Sequence, residues 1–73
     1  MNETEFIEEL KEFCESKKFE YKGRVKFMNN TLLVFIFGVN CIEPFDIWLN
    51  QNTKKHSTPT TFDDAIGSYV ILK

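Results

Sequence analysis

The sequence has few of the residues from which catalytic and metal sites are built. One histidine, His56, and two cysteines, Cys14 and Cys41, occur in the chain, and its three glycines are isolated. A zinc site needs close-spaced Cys or His ligands, a nucleophilic cysteine needs a histidine base, and a phosphate-binding loop needs clustered glycines. We therefore expect a protein that is not an enzyme and that holds no metal ion or other cofactor.

Long apolar runs are also missing. No run approaches the roughly 20 residues that cross a bilayer. The N-terminal stretch MNETEFIEEL lacks the basic and apolar regions of a signal peptide. Two cysteines this far apart do not form a disulfide framework, so we expect two buried, reduced thiols. These absences predict a cytoplasmic protein with no membrane partner.

The N-terminal part of the chain predicts an amphipathic helix over residues 3–18. Apolar residues recur there at helical spacing: Phe6, Ile7, Leu10, Phe13 and Cys14. Asn2, with Glu5 three residues later, resembles a capping box at the start of the helix. The opposite face would carry a row of acidic residues: Glu5, Glu8, Glu9, Glu12 and Glu15.

Residues 19–37 predict a β-hairpin. Apolar and polar residues alternate over FEYKGRVKF, and the apolar stretch TLLVFIF follows Asn29 and Asn30. A two-residue turn at these asparagines would pair Phe27 with Leu32. In this register, one face packs on the helix and holds Val25, Phe27, Leu32, Val34 and Ile36. The other face would hold Lys22, Arg24, Lys26, Leu33, Phe35 and Phe37.

The second half of the chain predicts one more strand and one more helix. Phe45, Ile47 and Leu49 alternate in the manner of a strand that leaves Trp48 on the second face of the sheet. A C-terminal helix is predicted from residues at helical spacing: Phe62, Ala65, Ile66, Tyr69 and Val70. As an alternative, Gly67 ends this helix and residues 68–73 form a fourth strand.

These elements predict a single α+β domain over residues 1–73. Its order would be α-β-β-β-α, with a three-stranded antiparallel meander packed on the first helix. This order resembles that of the double-stranded-RNA-binding domain, whose last helix begins with phosphate-gripping lysines. The corresponding stretch here is TTFDDAIG, with Asp63 and Asp64 in place of lysines, so that function is not expected. In size, acidity and lack of a catalytic motif, the chain resembles the small accessory proteins of bacteriophages, including some anti-CRISPR inhibitors. That resemblance assigns no residue.

The function predicted from these features is protein binding. The chain would act as a small phage-type accessory protein or inhibitor, docking its five helix glutamates on a basic groove of a host or regulatory protein. One alternative is a nucleic-acid-binding module with an aromatic and basic sheet face, although the net charge of −2 disfavours it. The residues of that face would be Lys22, Arg24, Lys26, Leu33, Phe35, Phe37 and Trp48. Another alternative is a homodimeric structural domain.

The three functional alternatives differ in what packs on this second face of the sheet. A strand that is apolar on both sides, as TLLVFIF is, is typically covered on both faces. We expect the C-terminal helix to provide the cover. A second copy of the protein or a single-stranded nucleic acid would be the other covers.

Overall fold

The fold begins with a helix and ends with a strand in the interior of a sheet. The computed structural model describes residues 1–73. Its elements in chain order are α1 (Glu3–Lys17), β1 (Glu20–Lys26), β2 (Thr31–Phe37), α2 (Ile42–Asn52), β3 (Lys55–His56), β4 (Thr60–Phe62) and β5 (Ala65–Ile71). The predicted α+β class is confirmed, with two helices and an antiparallel sheet of five strands. Neither helix is long and apolar enough to cross a membrane.

Helix α1 forms where the sequence predicts it. The Oδ1 atom of Asn2 accepts a hydrogen bond from the backbone N–H of Glu5 at 2.8 Å, which satisfies one of the free donors of the first turn. After Lys17 the chain leaves the helix through Lys18, whose positive φ of 61° is typical of a helix C-terminus.

Strand β5 has neighbours on both sides. The order of the sheet is β1-β2-β5-β3, and β4 also pairs with β5, so β3 and β4 share one edge of that strand. On the other edge, β2 pairs with β5 from Thr31 opposite Ile71 to Ile36 opposite Ile66. All of these pairs are antiparallel. The sheet is therefore organised around the two most apolar strands of the chain.

Residues 42–52 form helix α2, so the predicted third strand is wrong. Phe45 and Leu49 are buried one helical turn apart, whereas Ile47, which alternates with them, is half exposed. Pro44 lies in the first turn of α2, where its missing N–H costs no hydrogen bond. Phe45 and Leu49 thus fit two patterns, because residues four apart share a face both on a strand and on a helix.

Residues 65–71 form strand β5, so the predicted C-terminal helix is also wrong. Asp63 and Asp64 connect β4 to β5 as a hairpin turn, in which Asp63 has a positive φ of 52°. The alternative of a strand over 68–73 is confirmed for Ser68 to Ile71, although the strand already starts at Ala65. Long-range pairing with β2 therefore overrides the local helical spacing.

The loop of the β1–β2 hairpin is one residue longer than predicted. The backbone N–H of Phe27 donates to the carbonyl oxygen of Thr31 at 2.9 Å, so Met28, Asn29 and Asn30 all lie in the loop. Both asparagines have positive φ, at 62° and 57°, which this residue type tolerates better than most.

This longer loop reverses the two faces of β1. Arg24 is opposite Val34, and Val25 is opposite Leu33. Because a shift of one residue moves each side chain to the other side of the sheet, Val25 and Phe27 point away from the helices. The prediction that these two residues join the core is wrong.

One layer of buried side chains joins both helices to the same face of the sheet. It consists of Phe6, Ile7, Leu10, Cys14, Leu32, Val34, Ile36, Cys41, Phe45, Leu49, Val70 and Leu72. Strand β2 contributes alternate residues to this layer, as a strand does when one of its faces is covered by helices. Strand β5 contributes Val70, with Ile66 packed against the layer, and Leu72 follows directly after the strand. The other face of the sheet has no helix on it.

We expect Leu10→Ala and Leu49→Ala each to lower the free energy of unfolding by about 2 to 5 kcal/mol, because both side chains are fully buried. Urea unfolding followed by circular dichroism measures this loss. The exposed Glu15→Ala is the matched control and should change stability by less than about 0.5 kcal/mol. Equal stability of all three variants would show that the helices do not pack as described.

Candidate functional site

The five glutamates predicted as a partner-binding set lie on the solvent side of α1. Glu5, Glu8, Glu9, Glu12 and Glu15 are all exposed. None of them takes part in an ion pair, because the ion pairs of the molecule involve Glu3, Glu20 and Asp46 as acids. We call this set the acidic face. Its five carboxylates are free to meet positive charge on another molecule.

A shallow, open aromatic groove adjoins the acidic face, between α1 and α2. It is lined by Glu9, Glu12, Phe13, Ser16 and Trp48. The rings of Phe13 and Trp48 are stacked, with centroids 5.3 Å apart and planes inclined by 26°. Two carboxylates therefore border a pair of stacked rings that are only partly buried.

The sequence does not indicate this groove, because its pattern predicts that Trp48 lies on a strand and not on a helix. In the structure, Trp48 is on α2 and also packs on Phe6, with ring centroids 5.4 Å apart. The helical spacing of Phe45, Trp48 and Leu49 is the feature that could have placed it, since all three are on the inner side of α2.

The alternative sheet-face set is divided by the structure. Leu33, Phe35 and Phe37 lie on the face away from the helices, as predicted. Trp48 lies between the two helices instead, and the register of β1 places Arg24 on the opposite side of the sheet. The predicted combination of bases and aromatic rings on one face is wrong.

Both of the displaced bases of β1 are held by a carboxylate of α1. Arg24 Nε lies 2.5 Å from Glu3 Oε2, and Lys26 Nζ lies 3.5 Å from Glu3 Oε1. The hydrogen bond from Arg24 is the main reason that the pKa of Glu3 is below its usual value. Arg24 and Lys26 therefore tie β1 to α1, and part of their charge is already neutralised.

Lys22 lies at an irregularity in β1. The pairing with β2 shifts between Tyr21 and Gly23, and Lys22 is the extra residue at this bulge. Its Nζ atom lies 3.7 Å from Glu20 Oε1, which pairs its charge within the same strand. The bulge returns Tyr21 to the helix side of the sheet, opposite Ile36.

The face without helices is apolar, and the expected cover by a C-terminal helix is wrong. We call it the open sheet face; it holds Val25, Phe27, Leu33, Phe35, Phe37, Phe62 and Tyr69. Two ring contacts organise it: Phe27 with Tyr69 at 5.8 Å and Phe35 with Phe62 at 5.6 Å between centroids. Only Leu33 among these residues is buried, and five of the others are large apolar side chains exposed to solvent by more than a third.

Gly67 makes room for one of these ring contacts. A Cβ atom at this position would lie 2.8 Å from the ring of Phe62 and 2.9 Å from the ring of Phe35. The two rings therefore meet above β5 at Gly67, where that strand has no side chain. The glycine is a packing requirement of the open sheet face and not the helix end that its isolated position in the sequence suggests.

The cysteines and the histidine are separate features. Cys14 and Cys41 are free and buried, as predicted. Burial raises the pKa of Cys14 to about 11, with a smaller contribution from the nearby Cys41, whose own pKa is also raised by burial. The ring nitrogens of His56 lie 2.7 Å from the carbonyl oxygen of Ser57 and 2.7 Å from Asn50 Oδ1, which links β3 to α2.

No group of three or more His, Cys, Asp or Glu side chains is arranged to hold a metal ion. Comparison with known proteins adds no assignment, because no family model, no curated protein and no solved structure matches this chain. The candidate sites are therefore the acidic face with its groove and the open sheet face.

We expect the buried thiol of Cys14 to make stability fall in alkali. The folded chain keeps this proton up to a pKa of about 11, whereas the unfolded chain loses it near the ordinary value of a cysteine. Between these two values the folded state binds more protons, so stability falls as pH rises. The loss from this group is on the order of 2 kcal/mol.

The measurement is urea unfolding of the natural chain and of Cys14→Ala at about pH 8 and about pH 11. Cys14→Ala should lose less stability over this interval, whatever its stability at the lower pH, because Cys41 is present in both proteins. Parallel pH profiles would contradict the burial of Cys14.

Proposed function

We propose that this chain is a non-enzymatic protein-binding module that docks on a basic surface of another protein through the acidic face of α1. The observation that supports this proposal most is the groove in which Glu9 and Glu12 border the stacked rings of Phe13 and Trp48. A solvated helix face accounts for the glutamates alone. It does not account for partly exposed aromatic rings beside two unpaired carboxylates.

The chemistry of this groove fits an arginine side chain of the partner. A guanidinium group is planar, stacks on aromatic faces and forms paired hydrogen bonds with carboxylates. A cation over a tryptophan ring gains roughly 0.5 to 2 kcal/mol, depending on its burial. Lysine meets the charge of Glu9 and Glu12 but lacks the planar stacking, so we expect the groove to prefer arginine.

The other exposed carboxylates of the acidic face would act at longer range. Glu5, Glu8 and Glu15 extend the negative surface along α1 on either side of the groove. Such complementary charge speeds association and selects the partner more than it adds affinity. The arrangement favours a partner groove lined with several bases, of the kind that also binds nucleic acid.

If the basic groove of the partner normally binds nucleic acid, then this chain competes with nucleic acid for that groove. This is the sense in which we propose an inhibitor or accessory role of the phage type. The two free, buried cysteines support a reducing, cytoplasmic setting, because thiols of this kind persist where disulfides do not form.

The proposal is tested by titration with an oligo-arginine peptide and an oligo-lysine peptide of equal length. Trp48 is the only tryptophan, so its fluorescence reports on the groove directly. We expect the arginine peptide to bind at least about threefold more tightly and to change the emission of Trp48, because it adds stacking to charge. Equal affinities with no change in Trp48 emission would contradict the groove as the binding site.

A pair of charge reversals tests whether peptide binding depends on the acidic face or only on the net charge of the protein. Glu12→Lys and Asp64→Lys both replace an exposed, unpaired acid by a base, but only Glu12 borders the groove. We expect Glu12→Lys to weaken arginine-peptide binding by about tenfold at low salt and Asp64→Lys to weaken it by less than about twofold. Similar losses in both variants would mean that the peptide senses only the total charge.

A further inference from the structure

The open sheet face is an uncovered apolar surface on the side of the molecule opposite the acidic face. Both helices pack on the other face of the sheet, and no element of residues 1–73 covers this one. Val25, Phe27, Phe37 and Tyr69 are each between 44% and 49% exposed. Contiguous apolar surface of this kind usually marks an interface.

The charges on this face are few and lie at its margin. Glu20 and Lys22 form an ion pair at one end of β1, and Lys55 lies opposite Ile71 at the far edge. Between these charges the polar groups of the face are uncharged hydroxyls, those of Tyr69, Thr31 and Thr60. A distinct partner is usually selected by placed polar groups and charges, whereas homodimer interfaces are the more apolar class.

We infer that the open sheet face binds a second copy of this chain, sheet against sheet, around a two-fold axis. An apolar face with almost no net charge is complementary to itself, which is what a two-fold interface requires. The acidic face cannot serve in this way, because two copies would bring five carboxylates of each chain together. Among the remaining surfaces, the open sheet face has the larger set of exposed apolar side chains, whereas the helix side exposes Ile42 and Ile47.

The size of the open sheet face limits the area that a dimer of this kind can bury. Four strand positions at about 4.8 Å spacing and seven residues at about 3.3 Å give an outline of roughly 440 Å². Two such faces bury at most roughly 880 Å², because β3 and β4 are shorter than seven residues, and this area belongs to the weak, transient class of interface. We therefore expect a weak, reversible dimer, in which the sheets stack at about 10 Å and the helices face outward.

Sedimentation equilibrium of the natural chain between about 1 μM and about 500 μM tests this inference without any variant. The expected result is an average mass that rises with concentration towards twice the mass of the chain. A constant single-chain mass over this range would overturn the inference and leave the face to a different partner. A mass that rises beyond two copies would overturn the closed two-fold arrangement.

Matched glutamate substitutions locate the contact. Val25→Glu and Phe37→Glu place a charge on the open sheet face at residues 47% and 49% exposed, and Ile47→Glu does so on α2 at a residue 50% exposed. We expect the first two to weaken self-association by at least about tenfold, because the two-fold axis brings like charges together, and the third to leave it unchanged. Thermal melts check that all three fold.

An effect of Ile47→Glu alone would place the contact on the helix side and overturn the inference. Binding of a single-stranded oligonucleotide that Phe37→Glu abolishes, with no self-association of the natural chain, would overturn it in favour of a nucleic-acid platform.

Discussion

A single layer of apolar side chains, shared by two helices and one face of the sheet, holds this molecule together. Phe6 and Leu10 of α1 and Phe45 and Leu49 of α2 meet β2 and β5 in that layer, and each of these four side chains is completely buried. A chain of 73 residues supplies enough apolar surface for one such core. The second face of the sheet is uncovered because both helices are used on the first.

The acidic face was predictable because it depends on one element only. The helical spacing of Phe6, Leu10 and Cys14 and the cap at Asn2 define α1 locally, and the solvent side of a helix then follows from its periodicity. No knowledge of the rest of the fold is needed to place Glu8 or the other glutamates. The groove was not predictable, because it needs the position of α2 relative to α1.

The open sheet face was predicted only in part, because its composition depends on register. The sequence predicts both faces of β2 correctly, because alternation within a strand is local. The sequence predicts the wrong faces for β1, because the loop of the hairpin includes Met28 and not the two asparagines alone. A difference of one loop residue exchanged Val25 with Arg24 on that surface.

The two wrong elements share one cause. The segments around Phe45 and Tyr69 fit both periodicities, since short apolar patterns of this length are compatible with a helix and with a strand. Tertiary contacts decided between them: β5 gains neighbours on both edges, whereas α2 buries Phe45 and Leu49 in the core. That information lies in contacts between distant parts of the chain and not in either segment.

The interior position of β5 has a consequence for the folding pathway. In the sequence, α2, β3 and β4 all lie between β2 and β5. The pairing of β2 with β5 therefore requires closure of a long loop and forms more slowly than the local β1–β2 hairpin. Until β5 docks, TLLVFIF is an apolar strand with one open edge, the kind of segment that pairs with other chains and aggregates. Strand β5 thus protects β2 from intermolecular pairing, and the chain is most exposed to aggregation in the interval before that strand is in place.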